Sequence, residues 1–209
     1  MMNETNYLNP GVDMGRRAFL RSMVGVAVGA EVGAVVMPVA SEVVGMATHA
    51  VANEPVGNAG YREVIKESCE HDPNPAACQN SYTPKGAEAF DVVVAGPIRE
   101  ETIFRAVPSV LVDTCYREGN RPPDSATDVL ARGTQSRTFT RAEFIGGALS
   151  SFVFGQVHNI TPKGYDKKNI PTPQTLGGVI LWGLARKFGL ASSVACHMAF
   201  NARVALFSK

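Results

Sequence analysis

The sequence predicts an all-α protein, a bundle of about five apolar helices embedded in a membrane and joined by polar loops. Three observations lead there. The apolar blocks lack the period-two alternation of half-buried strands, and they run longer than ordinary strands. Ionisable residues also lie inside them, where charge is costly unless it is paired or used. Hydrophobic residues make up 45% of the 209, and the mean hydropathy is near zero, but this average hides polar stretches alternating with apolar ones. The net charge is +1, so no global field points to nucleic acid.

Residues 1–21 read as a polar N-terminal tail that ends in "GRRAFLRS". The apolar run 22–47 follows its twin arginines, Arg16 and Arg17. That order fits either a Tat-like export signal or a first membrane helix with a basic cytoplasmic flank. Glu31 interrupts the run, and the membrane-like segments further on favour the retained helix. Residues 48–85 form a polar loop in which Cys69 and Cys78 bracket "CEHDPNPAAC". A disulfide and two free thiols fit that spacing equally, and His71 reads as a solvated loop residue. No CxxC is present, which argues against a zinc ribbon.

Residues 86–209 hold the remaining helices. Apolar segments cover 86–112 and 144–158, separated by a polar loop over 113–143. Gly189 divides the C-terminal block into helices near 176–187 and 190–207. A membrane span takes about 20 residues, a length that the first, second and fifth segments approach. With the N-terminus in the cytoplasm, ten loop-flanking Arg and Lys fall on the inner side and seven on the outer, the direction the positive-inside rule expects.

The stretch "AGPIREETIFRAV", 95–107, places Arg99, Glu100, Glu101 and Arg105 in an apolar helix. Glu101 and Arg105, four apart, share a face and can pair. Glu100 points about a quarter-turn away, free to meet something else. "FVFGQVH" sets Phe154 and His158 four apart, and "HMAFN" does the same for His197 and Asn201. One carboxylate, two imidazoles and a carboxamide gathered inside a bundle can activate water.

The ordered set EExxxR, FxxxH and HxxxN, each in an apolar helix, resembles the CPBP (Abi) family of CAAX prenyl endopeptidases and bacteriocin-processing intramembrane proteases. The likeness extends over roughly residues 86–205, including Pro97 ahead of the glutamates, and departs at Ala106, where the family commonly has glycine. It implies a multi-pass membrane endopeptidase that acts on a peptide or protein substrate at the bilayer. Glu100 and His158 would activate water, and His197 and Asn201 would stabilise the oxyanion. Glu101, Arg105 and Phe154 would support the site or meet the substrate. The donors Glu100, His158 and His197 also suit one zinc ion of His₂Glu type, and the resemblance leaves metal-dependent and metal-free chemistry open. Two other readings compete: a non-catalytic membrane scaffold or immunity protein of the same family, and a Tat-exported soluble helical protein that binds metal.

Overall fold

The protein was analysed as a computed structural model that describes residues 10–52, 58–115, 133 and 139–207. It is all-α apart from one small hairpin. Helix α1 covers 10–52, as α-helix Pro10–Glu31, a π-helical turn Val32–Val36 and α-helix Met37–Ala52. Two short helices follow, α2 (Ala59–Ser68) and α3 (Pro75–Ser81). Helix α4 covers 86–115 and contains two π-helical turns, Asp91–Ala95 and Thr102–Ala106. Then come α5 (Arg141–Val157), the antiparallel strands β1 (Ile160–Thr161) and β2 (Gly164–Tyr165), α6 (Thr172–Phe188) and α7 (Leu190–Phe207).

Several boundaries differ from the sequence reading. The first helix starts at Pro10, inside the expected polar tail; proline suits a first helical turn, where its missing N–H has no partner to lose. The expected loop 48–85 contains α2 and α3, each started by an asparagine. Asn58 accepts the Tyr61 N–H at 2.9 Å, and Asn74 accepts that of Ala77 at 3.2 Å with Pro75 behind it. Such caps satisfy N–H groups that a short helix would otherwise expose. Cys69 and Cys78 form a disulfide with Cα atoms 5.8 Å apart, which resolves the two alternatives for that pair. Of the expected loop 113–143, α4 takes the residues to Cys115 and α5 those from Arg141; most of the rest lies outside the described residues.

The π turns have a sequence cause. Pro38, Pro97 and Pro108 each follow two residues after one. A proline inside a helix gives no N–H and crowds the carbonyl one turn back, so the turn before it widens. In α4 the carbonyls left over find side-chain donors. Val92 O accepts Asn201 Nδ2 at 2.8 Å, while Phe104 O accepts Arg105 Nη1 at 2.8 Å and the Ser150 hydroxyl. These contacts lock the motif helix to α5 and α7.

The five long helices pack with α1 and α7 parallel and α4 antiparallel to α5 and α7. Gly29 and Gly33 set the α1–α7 contact, meeting Ser192 and Cys196, while Gly25 meets Phe188 at the end of α6 and Ser192 of α7. Glycine every fourth residue lets two backbones approach closely, as in packed membrane helices. A Cβ on Gly29 would overlap the Ser192 carbonyl. Gly29→Val should therefore destabilise the protein by about 1–3 kcal/mol, read as a lowered thermal midpoint in detergent. An unchanged midpoint would mean α1 is not docked on α7. Gly189, at φ 93°, makes the turn between α6 and α7, where the sequence placed it.

A small core of Met37, Phe154, Leu181, Leu184 and Cys196 lies at the centre. Large apolar side chains point outward instead: Val39 and Val43 on α1, Ile103 and Leu111 on α4, Phe144, Leu149 and Phe152 on α5. So many large apolar side chains on the exterior suit lipid and not water. Among the described residues, one helical stretch, Ser22–Ala50 of α1, is long and apolar enough to cross a membrane by length and composition. At the end of the bundle near Cys115, buried Arg186 joins three helices. It meets the Asp113 carboxylate twice at 2.8 Å and Glu143 at 3.0 Å, and Glu143 also closes a capping box with Thr140 at the start of α5.

Candidate active site

The Gly96–Glu101 segment of α4 lies between two π turns, and this sets which way its carboxylates face. Glu101 is fully buried and turned into the bundle. Its Oε2 is 3.4 Å from Arg105 Nε, and the Arg105 side chain is likewise fully buried. The same carboxylate accepts the Ser193 hydroxyl through Oε2 and meets His197 Nδ1 at 3.0 Å through Oε1. Glu101 thus joins α4 to α7 as well as pairing along its own helix. Arg105 Nη1 also donates to Ser150 Oγ at 3.1 Å, and its guanidinium lies 4.8 Å from the centroid of the Phe154 ring.

Glu100 faces a cavity of about 320 Å³. Its Oε2 is buried with no hydrogen-bond partner. That oxygen stands 3.7 Å from His197 Nε2 and 4.0 Å from His158 Nε2. Both separations exceed a direct hydrogen bond and suit a bridging water. His158 caps the end of α5, where its Nδ1 lies 2.7 Å from the Phe154 carbonyl. A carbonyl only accepts, so that nitrogen carries the hydrogen and Nε2 presents a lone pair when the ring is neutral. The Glu101 carboxylate fixes His197 the same way round. Phe154 is nearly fully buried and packs edge-on against both imidazoles, with centroids 4.7 Å from His158 and 5.8 Å from His197.

All seven residues singled out from the sequence therefore lie in one cluster. Asn201 lines the cavity too, although its Nδ2 also donates to the Val92 carbonyl. One of its two amide hydrogens is thereby committed to holding α4, and the other remains for a ligand. The sequence reading missed Ser193, Ser150 and the cavity residues Tyr61 and Gln174. Ser193 could have been found four residues ahead of His197, on the same face of α7. Tyr61 could not, since it comes from a segment read as loop. Burial pushes the Tyr61 phenol above its ordinary value, with the nearby Glu88 and Tyr82 adding to the shift, so its hydroxyl stays neutral at the cavity wall.

The donor set of Glu100, His158 and His197 fits zinc in kind but not in spacing. Tetrahedral ligands at about 2.0–2.1 Å from zinc stand roughly 3.4 Å apart, closer than the two separations seen here. Among the described residues, no three His, Cys, Asp or Glu groups are placed to hold a metal ion. What the geometry does provide is a carboxylate and two imidazole nitrogens facing the cavity, at separations that a water can bridge. Behind them is a buried layer of Glu101, Arg105, Ser193 and Phe154.

Residues 87–203, which include every one of these motif residues, match the family model described as Rce1-like, type II CAAX prenyl endopeptidase. Among curated proteins and among solved structures, nothing matches the chain.

Proposed function

The chain belongs to the Rce1-like family of type II CAAX prenyl endopeptidases, and from that premise we propose that it is a multi-pass membrane endopeptidase of glutamate type. The observation that carries this reading is the unpartnered Oε2 of Glu100 beside the two imidazole Nε2 atoms. A water held there by His158 gives its proton to Glu100 as its oxygen attacks the peptide carbonyl carbon. The carbonyl oxygen becomes an oxyanion, met by His197 and the second amide hydrogen of Asn201. Glu101 behind His197 Nδ1 is the partner a positive ring needs while negative charge builds in front of it. The C–N bond then breaks, and Glu100 passes its proton to the leaving amine.

Glu101, Arg105, Ser193 and Phe154 are positioning residues in this scheme. Donor spacing supports the metal-free form. The test is cleavage of a quenched fluorescent peptide library by detergent-purified protein, with and without a chelator. Cleavage should persist undiminished in chelator. Loss in chelator with recovery on added zinc would instead establish a metalloprotease. No cleavage by folded protein under any condition would favour a scaffold or immunity role.

A further inference from the structure

We propose that Gln174 is a substrate-binding residue: its side-chain amide, with the Ser41 hydroxyl beside it, hydrogen-bonds the backbone of the peptide lying in the Glu100 cavity. This rests on the peptidase reading above and adds residues that neither the motif set nor that mechanism uses.

The first support is an unsatisfied acceptor. Gln174 lines the cavity from the first turn of α6, and its Oε1 is buried without a hydrogen-bond partner. Buried polar atoms are nearly always paired, so an exception calls for an explanation. Among the described residues that line the cavity, only Glu100 Oε2 shares this state. The attacking water accounts for Glu100. Gln174 needs a donor of its own, and a bound peptide brings one.

The second support is placement. A Cβ on Gly155 would run into the Thr175 side chain, and one on Gly178 would meet Ser151 and Phe154. Helices α5 and α6 therefore pass antiparallel in a register that brings Gln174 within a turn of His158. On the other flank, a Cβ on Gly177 would stand 3.1 Å from Met37 Cε, and one on Gly45 would stand 3.7 Å from Pro173 Cγ. Ser41 lies midway between Met37 and Gly45, so it lines the cavity beside the first turn of α6. Thr48, further along α1, bonds back to the Val44 carbonyl at 2.8 Å. Among the described residues Ser41 makes no such bond, which leaves its hydroxyl for a ligand.

The third support is chemistry. A peptide drawn into a helical bundle loses the water on its backbone N–H groups, and each then needs an acceptor. Helical carbonyls are mostly spent on their own helices. The wall around Gln174 is largely apolar, from Met37, Pro173, Leu181 and Phe200. Gln174 Oε1 is therefore the acceptor at hand for a backbone N–H, whatever side chains the peptide carries. Helix α2 forms a cap over the same cavity: Asn58 and Tyr61 line it, and the Gly60 N–H donates to the His158 carbonyl at 3.3 Å. Met37, Ser41, Asn58 and Tyr61 all precede the family match at 87–203. Part of the peptide-binding wall thus comes from a segment outside the family core.

The test uses the full-length protein in detergent and a fluorescein-labelled library peptide selected for binding to Glu100→Gln, which leaves it uncut. Adding Gln174→Leu to that variant should raise the Kd of the peptide about 3–10-fold, the worth of one hydrogen bond. Methylating the backbone nitrogens one at a time should reveal a position where the methyl group weakens binding to Glu100→Gln but not to the double variant. With Glu100 intact, Gln174→Leu should raise KM by the same factor and move kcat far less. Its unfolding midpoint should be no lower than that of wild type, since an unpaired polar group gives way to an apolar one. Ser41→Ala, read with the same methylated peptides, takes its place should Gln174→Leu fail to fold. An unchanged Kd would overturn the inference, as would equal methylation penalties in both proteins at every position, or failure of every library peptide to bind. If binding follows expectation but wild type cuts no peptide, Gln174 keeps its role and the protease reading falls.

Discussion

Glu101→Ala should lose both the fold's stability and its cleavage activity. The Glu101 carboxylate is fully buried and serves three partners on two helices: Arg105, Ser193 and His197. Removing it strands the Arg105 guanidinium, which is also fully buried and whose Nε and Nη2 have no hydrogen bond to fall back on. Breaking a buried pair from one side typically costs about 3–5 kcal/mol, a large part of a domain's net stability. Thermal unfolding in detergent measures this directly. A double variant that also removes Arg105 should recover part of the loss, because no charge is then left unpaired. It should not recover cleavage, because His197 would still lack the carboxylate behind Nδ1. Full activity in a stable Glu101→Ala protein would remove Glu101 from the positioning scheme.

The sequence exposed much of this arrangement and concealed part of it, for physical reasons. Helical spacing was enough to pair Glu101 with Arg105 and to aim Glu100 elsewhere, since that depends only on the turn per residue. It could also place His197 with Asn201, and Phe154 with His158. It could not show that Asn201 divides its amide between a ligand and the Val92 carbonyl. That carbonyl is left over only because Pro97 widens the turn before it. The cap was hidden as well. Asn58 and Asn74 start helices of ten and seven residues whose mostly polar, exposed side chains read by hydropathy as loop. The first helix began earlier than hydropathy suggested because polar residues can extend a helix that its glycines dock against α7. The Cys69–Cys78 pair was undecidable from spacing, since a nine-residue separation suits both states.

In the proposed mechanism, proton transfer from water rests on Glu100. A general base of this kind contributes about 10²–10⁴-fold to the rate. Unlike Glu101, Glu100 holds no part of the buried layer. Its Oε2 has no hydrogen-bond partner, and its side chain is about one-third exposed to the cavity (35%). Its replacement should therefore separate chemistry from folding.

The measurement that tests this most directly is turnover of one defined library peptide by wild type and Glu100→Gln, with thermal unfolding of both recorded in the same detergent. Glutamine keeps the size and shape of the side chain but cannot take a proton from water. The account predicts equal unfolding midpoints, a nearly unchanged KM and a kcat lower by about 10²–10⁴-fold. A Glu100→Gln protein that cuts the peptide at the wild-type rate would contradict it.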